Sequence, residues 1–138
     1  PADQAALLAQ VSAGQPYYGA IAFSPDEGIM VEATVAAVSH HSFEAAAAAA
    51  AADCDARRKG RSPCAVVVKI LPAGWEPRPL TLSFAASEAL RKDYGRSGRR
   101  ALAVSPATGA FGLGRGEGAQ AAALAACGKP DCAIAVAD

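Results

Sequence analysis

Few side chains in this chain are equipped for chemistry. His40 and His41 are its only histidines. Followed by Glu44, they offer two imidazoles and a carboxylate, the groups from which a metal site or a small hydrolase's general base is built. His41 and Glu44 stand three apart, a spacing that shares one helix face. No third ligand accompanies them, and a polar strand-to-helix junction accounts for the pair as well. Ser24 and Ser105 each precede a proline. A nucleophilic serine needs a base within hydrogen-bond reach and donors for an oxyanion. Neither serine sits in a Gly-x-Ser-x-Gly elbow, so both read as turn-capping hydroxyls. Gly112-Leu113-Gly114-Arg115-Gly116-Glu117-Gly118 has the glycine density of a phosphate loop but lacks its Gly-Lys-Ser/Thr ending. It reads as a glycine-rich strand end that another backbone can approach closely. The sequence therefore assigns no catalytic residue, no metal ligand and no cofactor.

Four cysteines carry a firmer message. Cys54 and Cys64 enclose nine residues, and Cys127 and Cys132 enclose four. Neither spacing is the close Cys-x2-Cys pair of a zinc site or a redox motif. Four cysteines permit three pairings; their mirrored positions in a repeat favour Cys54–Cys64 and Cys127–Cys132. Disulfides imply an oxidising compartment. The chain opens at Pro1 without methionine, as a mature form does after signal removal, so a periplasmic or secreted location is expected.

Basic residues bunch in two segments. Arg57, Arg58, Lys59 and Arg61 fall around the first inter-cysteine stretch, and Arg91, Lys92, Arg96, Arg99 and Arg100 lie further on, together nine of the 13 basic residues. Converged, they would make a cationic face for anionic lipid, envelope polymer or an acidic protein; apart, they are solvated loops. Trp75 is a further candidate, either a lid over the core or an anchor for a partner. Total charge is balanced at 13 basic against 13 acidic residues, which argues against nucleic-acid binding. No apolar run reaches the ~18–20 residues that span a bilayer.

These groups are positioned by one unit used twice. Residues 19–70 and 100–138 share an order: an alternating strand, a Ser-Pro-x-x-Gly turn, an apolar strand, an alanine-rich helix ending in Cys, then Cys and a Val/Ile-rich strand. The expected strands are Tyr18 to Phe23, Ile29 to Val38 and Cys64 to Leu71, then Ala110 to Arg115 and Cys132 to Val136. In each turn proline presets φ, and Gly28 or Gly109 closes the hairpin in the left-handed region. Ser42 is the expected N-cap of the first helix, and Gly118 to Cys127 the second helix, stopped by Gly128. Ala2 to Ala13 and Ser83 to Tyr94 read as helices outside the repeat, the latter with Phe84, Leu90 and Tyr94 on one face. Between them runs the proline-rich loop around Trp75.

At 138 residues the chain has the length of one domain. It divides as a helical arm at 1–16, repeat one at 17–71, a loop and linking helix at 72–98, and repeat two at 99–138. The expected fold class is α+β: two ββαβ repeats in a mainly antiparallel sheet, six-stranded in its simplest form, with helices on one face and a disulfide in each repeat.

The unit Gly-Ala-Ile-Ala-x-Ser-Pro-x-x-Gly, with its helix ending in Cys and its Cys-Val-rich strand, resembles a domain family of unknown function found in small secreted bacterial proteins. The resemblance covers both repeats, about two-thirds of the chain. It implies export and disulfides, and brings no catalytic residues. The whole chain also resembles small alphaproteobacterial exported proteins, some of which are labelled 5-aminolevulinate synthase. That activity is excluded: it needs a pyridoxal-phosphate fold several times larger, and Lys59, Lys69, Lys92 and Lys129 have no phosphate-cradling loop beside them. The function expected is a non-enzymatic accessory or binding domain that docks on a protein or membrane complex of the cell envelope. The alternatives are polyanion or anionic-membrane binding through the basic face, or an enzyme using His40 or His41.

Overall fold

The computed structural model describes residues 2–138. Its elements are α1 (Ala2–Ser12), β1 (Tyr18–Phe23), β2 (Val35–His40), α2 (Phe43–Arg57), β3 (Ala65–Ile70), α3 (Phe84–Asp93), β4 (Arg100–Val104), β5 (Phe111–Arg115), α4 (Ala119–Cys127) and β6 (Ala133–Ala137). The fold is α+β, built from two ββαβ repeats, and both disulfides pair within their own repeat: Cys54–Cys64 and Cys127–Cys132. Each bond closes a short loop, so each stabilises by roughly 2–3 kcal/mol on chain-entropy grounds.

The strands form two antiparallel three-stranded sheets, ordered β2-β1-β3 and β5-β4-β6, where a six-stranded sheet was the simplest expectation. The reason is local. The first strand of each repeat is central, and both of its edges are taken by strands of the same repeat, so each unit closes on itself. The backbone accordingly falls into two compact units, one ending at Pro77 and the other beginning at Arg78.

In the first unit Ala20 and Ala22 of β1 face Ala46, Ala50 and Cys54 of α2, all fully buried. Side chains this small let the helix axis lie close to the sheet, and alanine also favours the helix itself. Ser42 caps α2 as expected, its Oγ accepting from Ala45 N at 3.1 Å. Ile21 and Ile70 point away from α2 and are 2% exposed. The α1 helix has no buried residue and lies against β3.

The second strand begins later than Ile29. Glu27 N and Gly28 N both donate to Ser24 O, and Thr34 N donates to Val31 O, so residues 29–34 turn instead of extending. Val31 and Ala33 pack into the α2 cluster, and burial there outweighs strand pairing.

In the second unit Ala101 and Ala103 face Ala119, Ala123 and Cys127 of α4. The other face is covered as well: Leu102 and Val104 pack with Tyr94, Leu90 and Leu82 from the linking segment. Helices thus lie on both faces here. The inward stripe runs from Leu82, just ahead of α3, through Ala86 and Leu90 to Tyr94 at its C-cap, at a spacing of four; Ala86 and Tyr94 are buried and the two leucines partly so. Phe84 lies off that stripe and is 51% exposed, contrary to its expected place on the apolar face. Gly128 ends α4 in the left-handed region at φ 68°, with its N–H donating to Leu124 O.

Candidate functional site

The cationic loop that joins α2 to Cys64 is held by a set of hydrogen bonds from acidic side chains. Three carboxylates hold its backbone. Glu27 Oε2 accepts from Lys59 N at 3.0 Å and Gly60 N at 3.1 Å. Asp26 accepts from Ser62 N at 2.8 Å and from the Ser62 hydroxyl at 2.9 Å. Asp55 accepts from Cys64 N at 3.0 Å and Arg58 Nε at 2.6 Å, and Arg58 Nη1 donates to Gly60 O at 2.6 Å. The charged form of each acid is favoured by these donors. The Ser62 N–H, then its hydroxyl, lowers the Asp26 pKa. The Ser24 hydroxyl, then the Gly60 and Lys59 N–H groups, lowers that of Glu27. The Cys64 N–H, then Arg58, lowers that of Asp55.

Gly60 is required by this arrangement. A Cβ there would lie 2.7 Å from both the Cβ and Oδ2 of Asp26. With the backbone held, the side chains divide. Arg57 pairs with Asp53 on the helix surface, and Arg58 is turned back to Asp55. Lys59 and Arg61 are exposed and make no ion pair among the described residues.

The second basic segment belongs to the other unit. Arg91 and Lys92 both pair with Glu88, raising the Lys92 pKa and lowering that of Glu88. Arg100 pairs with Asp138, donates to Gly95 O and lies 4.6 Å over the Tyr94 ring. Arg96 and Arg99 are exposed. Trp75 is 46% exposed and donates through Nε1 to Tyr18 OH at 2.7 Å, so its ring is fixed at the start of β1 with much of its surface open.

The histidines stand at the β2–α2 junction. Ser42 is extended, and α2 begins at Phe43, so His41 lies ahead of the helix and does not share a helix face with Glu44. Ser39 before them takes φ 66°, a conformation that costs a non-glycine residue energy. Burial, and then the neighbouring His41, lowers the His40 pKa, favouring the neutral ring. Among the described residues no group of three His, Cys, Asp or Glu is arranged to hold a metal.

Ser24 and Ser105 are fully buried. Ser105 donates to Asp131 Oδ1 at 2.7 Å and accepts from Thr108 N and the Thr108 hydroxyl, while Asp131 Oδ2 accepts from Ala107 N at 2.9 Å. The serine is thus part of a turn lock. Gly112 and Gly114 face α4 so closely that a Cβ would run into the backbone of Ala123, Ala126 and Cys127 at the first and of Ala119 and Ala123 at the second. Gly112 and Gly114 of the run thus serve close helix packing, as its composition suggested, whereas Gly116 and Gly118 have open space beside them and take positive φ.

Sequence reasoning missed Asp26, Glu27, Asp55, Gly60 and Asp131. One signal was available. The first turn reads Ser-Pro-Asp-Glu-Gly and the second Ser-Pro-Ala-Thr-Gly, and the acid lost from the second turn reappears as Asp131 in the second disulfide loop.

No family model, curated protein or solved structure matches this chain. No helix among the described residues is long and apolar enough to cross a membrane.

Proposed function

We propose that this protein is a non-enzymatic, exported accessory domain that docks on a protein partner of the cell envelope, with the loop between Cys54 and Cys64 as its docking point. The observation that carries the reading is a backbone held by Asp26, Glu27 and Asp55 while Lys59 and Arg61 face solvent. Ordering a loop costs about 1–2 kcal/mol per residue in backbone entropy. A loop ordered in advance does not meet that cost on binding, so its cations recognise a partner more tightly than those of a mobile loop. Two disulfides favour the oxidising compartment, as does the resemblance of the repeats to a family of small secreted proteins.

The reading is tested by mild-detergent affinity purification of the tagged protein from its own envelope, beside a Lys59→Ala/Arg61→Ala variant. A stoichiometric complex for the parent, lost in a variant with an unchanged melting temperature, is expected. A partnerless parent protein, or equal retention of both, overturns it.

A further inference from the structure

The chemistry of the partner, and a second set of residues that governs its binding, follow from the same loop; this inference rests on the docking role proposed above. We infer that the Lys59–Arg61 pair takes an acidic protein segment, and that Asp26, Glu27 and Gly60 are positioning residues that set its affinity without touching it.

The choice of an acidic protein segment over an anionic membrane is decided by magnitude. A basic residue near an anionic lipid surface contributes about 1 kcal/mol, and sequences that bind such surfaces gather roughly four to eight of them. Of the four cations in this segment, Arg57 and Arg58 are already paired with Asp53 and Asp55. Two remaining cations give only marginal lipid attraction. A protein carboxylate pair asks for something different: few charges, held at a fixed separation. Lys59 and Arg61 sit two residues apart on a backbone whose amides at Lys59, Gly60 and Ser62 are all bonded to carboxylates. Their spacing is therefore set by the hairpin turn 32 to 36 residues away in sequence.

This arrangement makes a prediction of unusual sign. Asp26 and Glu27 are negative charges beside a cationic loop. If the loop acted only through its charge, removing either acid would tighten binding to an anionic partner. If they position the loop, removal weakens binding although the net charge becomes more favourable. Gly60→Ala gives a third handle, because it changes no charge and lifts the loop off Asp26 by the clash of its Cβ.

The experiment uses the disulfide-bonded full chain and a fluorescent peptide of alternating glutamate and glycine, titrated by anisotropy, with phosphatidylglycerol vesicles as the comparison probe. Melting curves verify the fold of every variant. Binding of the peptide that falls roughly tenfold in Lys59→Ala/Arg61→Ala is expected, the loss of two charge-assisted contacts. A fall of about three- to tenfold is expected in Glu27→Ala, Asp26→Ala and Gly60→Ala, as ordering cost returns to the loop. Peptide binding that is absent, or unchanged in the Lys59/Arg61 variant, overturns the docking point itself. Loss in that variant together with tighter binding in Glu27→Ala and Asp26→Ala leaves the docking point standing and overturns the positioning role. Vesicle binding that exceeds peptide binding and depends on the same two cations overturns the choice of partner.

Discussion

The two repeats use one lock in opposite directions. In the first unit the carboxylates sit in the hairpin turn, at Asp26 and Glu27, and grip the backbone of the disulfide loop. In the second the carboxylate sits in the disulfide loop, at Asp131, and grips the hairpin turn through Ser105 and Ala107. Both arrangements tie the same two loops together. The difference lies in which loop is left to show its side chains. The first unit has nine residues between its cysteines, the last turn of α2 and a fixed loop with exposed cations; the second has only Gly128 to Asp131 between its cysteines, and uses the acid there on its turn. The two repeats thus share a fold, while the first leaves Lys59 and Arg61 exposed on a held backbone.

The units differ again where helix meets sheet, and the largest expected effect lies there. Gly114 pairs with Ala101 in β4, as Ala37 pairs with Ala20 in β1, so the two positions correspond. The first unit accommodates a methyl at its position; the second puts the Ala119 carbonyl in that space. Gly114→Ala should destabilise the second unit by about 3 kcal/mol in chemical denaturation, the upper range of overpacking. A loss below about 1 kcal/mol would mean that α4 shifts as readily as a helix on an ordinary strand.

Next in size come the turn serines. Ser105→Ala removes a buried hydroxyl with three hydrogen bonds, one to a carboxylate, and should cost about 2 kcal/mol. Ser24→Ala should cost less than about 1 kcal/mol, because the buried Ser24 hydroxyl makes no well-formed hydrogen bond among the described residues. Equal losses in paired melting experiments would erase the proposed difference between the locks.

The smallest effect is an acid response of the first loop. Asp26, Glu27 and Asp55 have lowered pKa values in the folded chain. Their folded state binds fewer protons than the unfolded one, so their contribution is complete above the ordinary carboxylate range near pH 4 and disappears as pH falls through the lowered values. The Lys59, Gly60 and Ser62 amide resonances should therefore hold steady from neutral pH to about 4.5 and shift below it. Movement already at pH 6 would contradict the assignment to these carboxylates.

Much of the scaffold was legible because it is local. The strand at Tyr18–Phe23, the Ser42 cap, the Gly128 stop and both disulfides depend on neighbours within a few residues or on the repeat itself. What could not be read depends on distant partners. The turn over residues 29–34 follows from Val31 and Ala33 meeting α2, against the strand preference of Val31. The division into two sheets follows from which edges are occupied, a property of pairing and not of any one strand. Phe84 fits a helical period, but the stripe that is buried starts from Leu82. The cationic segment was visible as charge, whereas its order comes from acids more than 30 residues earlier.

Amide hydrogen exchange at Lys59, Gly60 and Ser62 reads the held loop itself, because those three N–H groups are the ones the hairpin carboxylates hold. Protection of at least about tenfold over an open chain is expected in the parent protein, lost at Lys59 and Gly60 in Glu27→Ala and at Ser62 in Asp26→Ala, with β1 and α2 unchanged. Exchange at open-chain rates in the parent protein would contradict it: the loop would be mobile, and its cations a solvated pair without a fixed geometry.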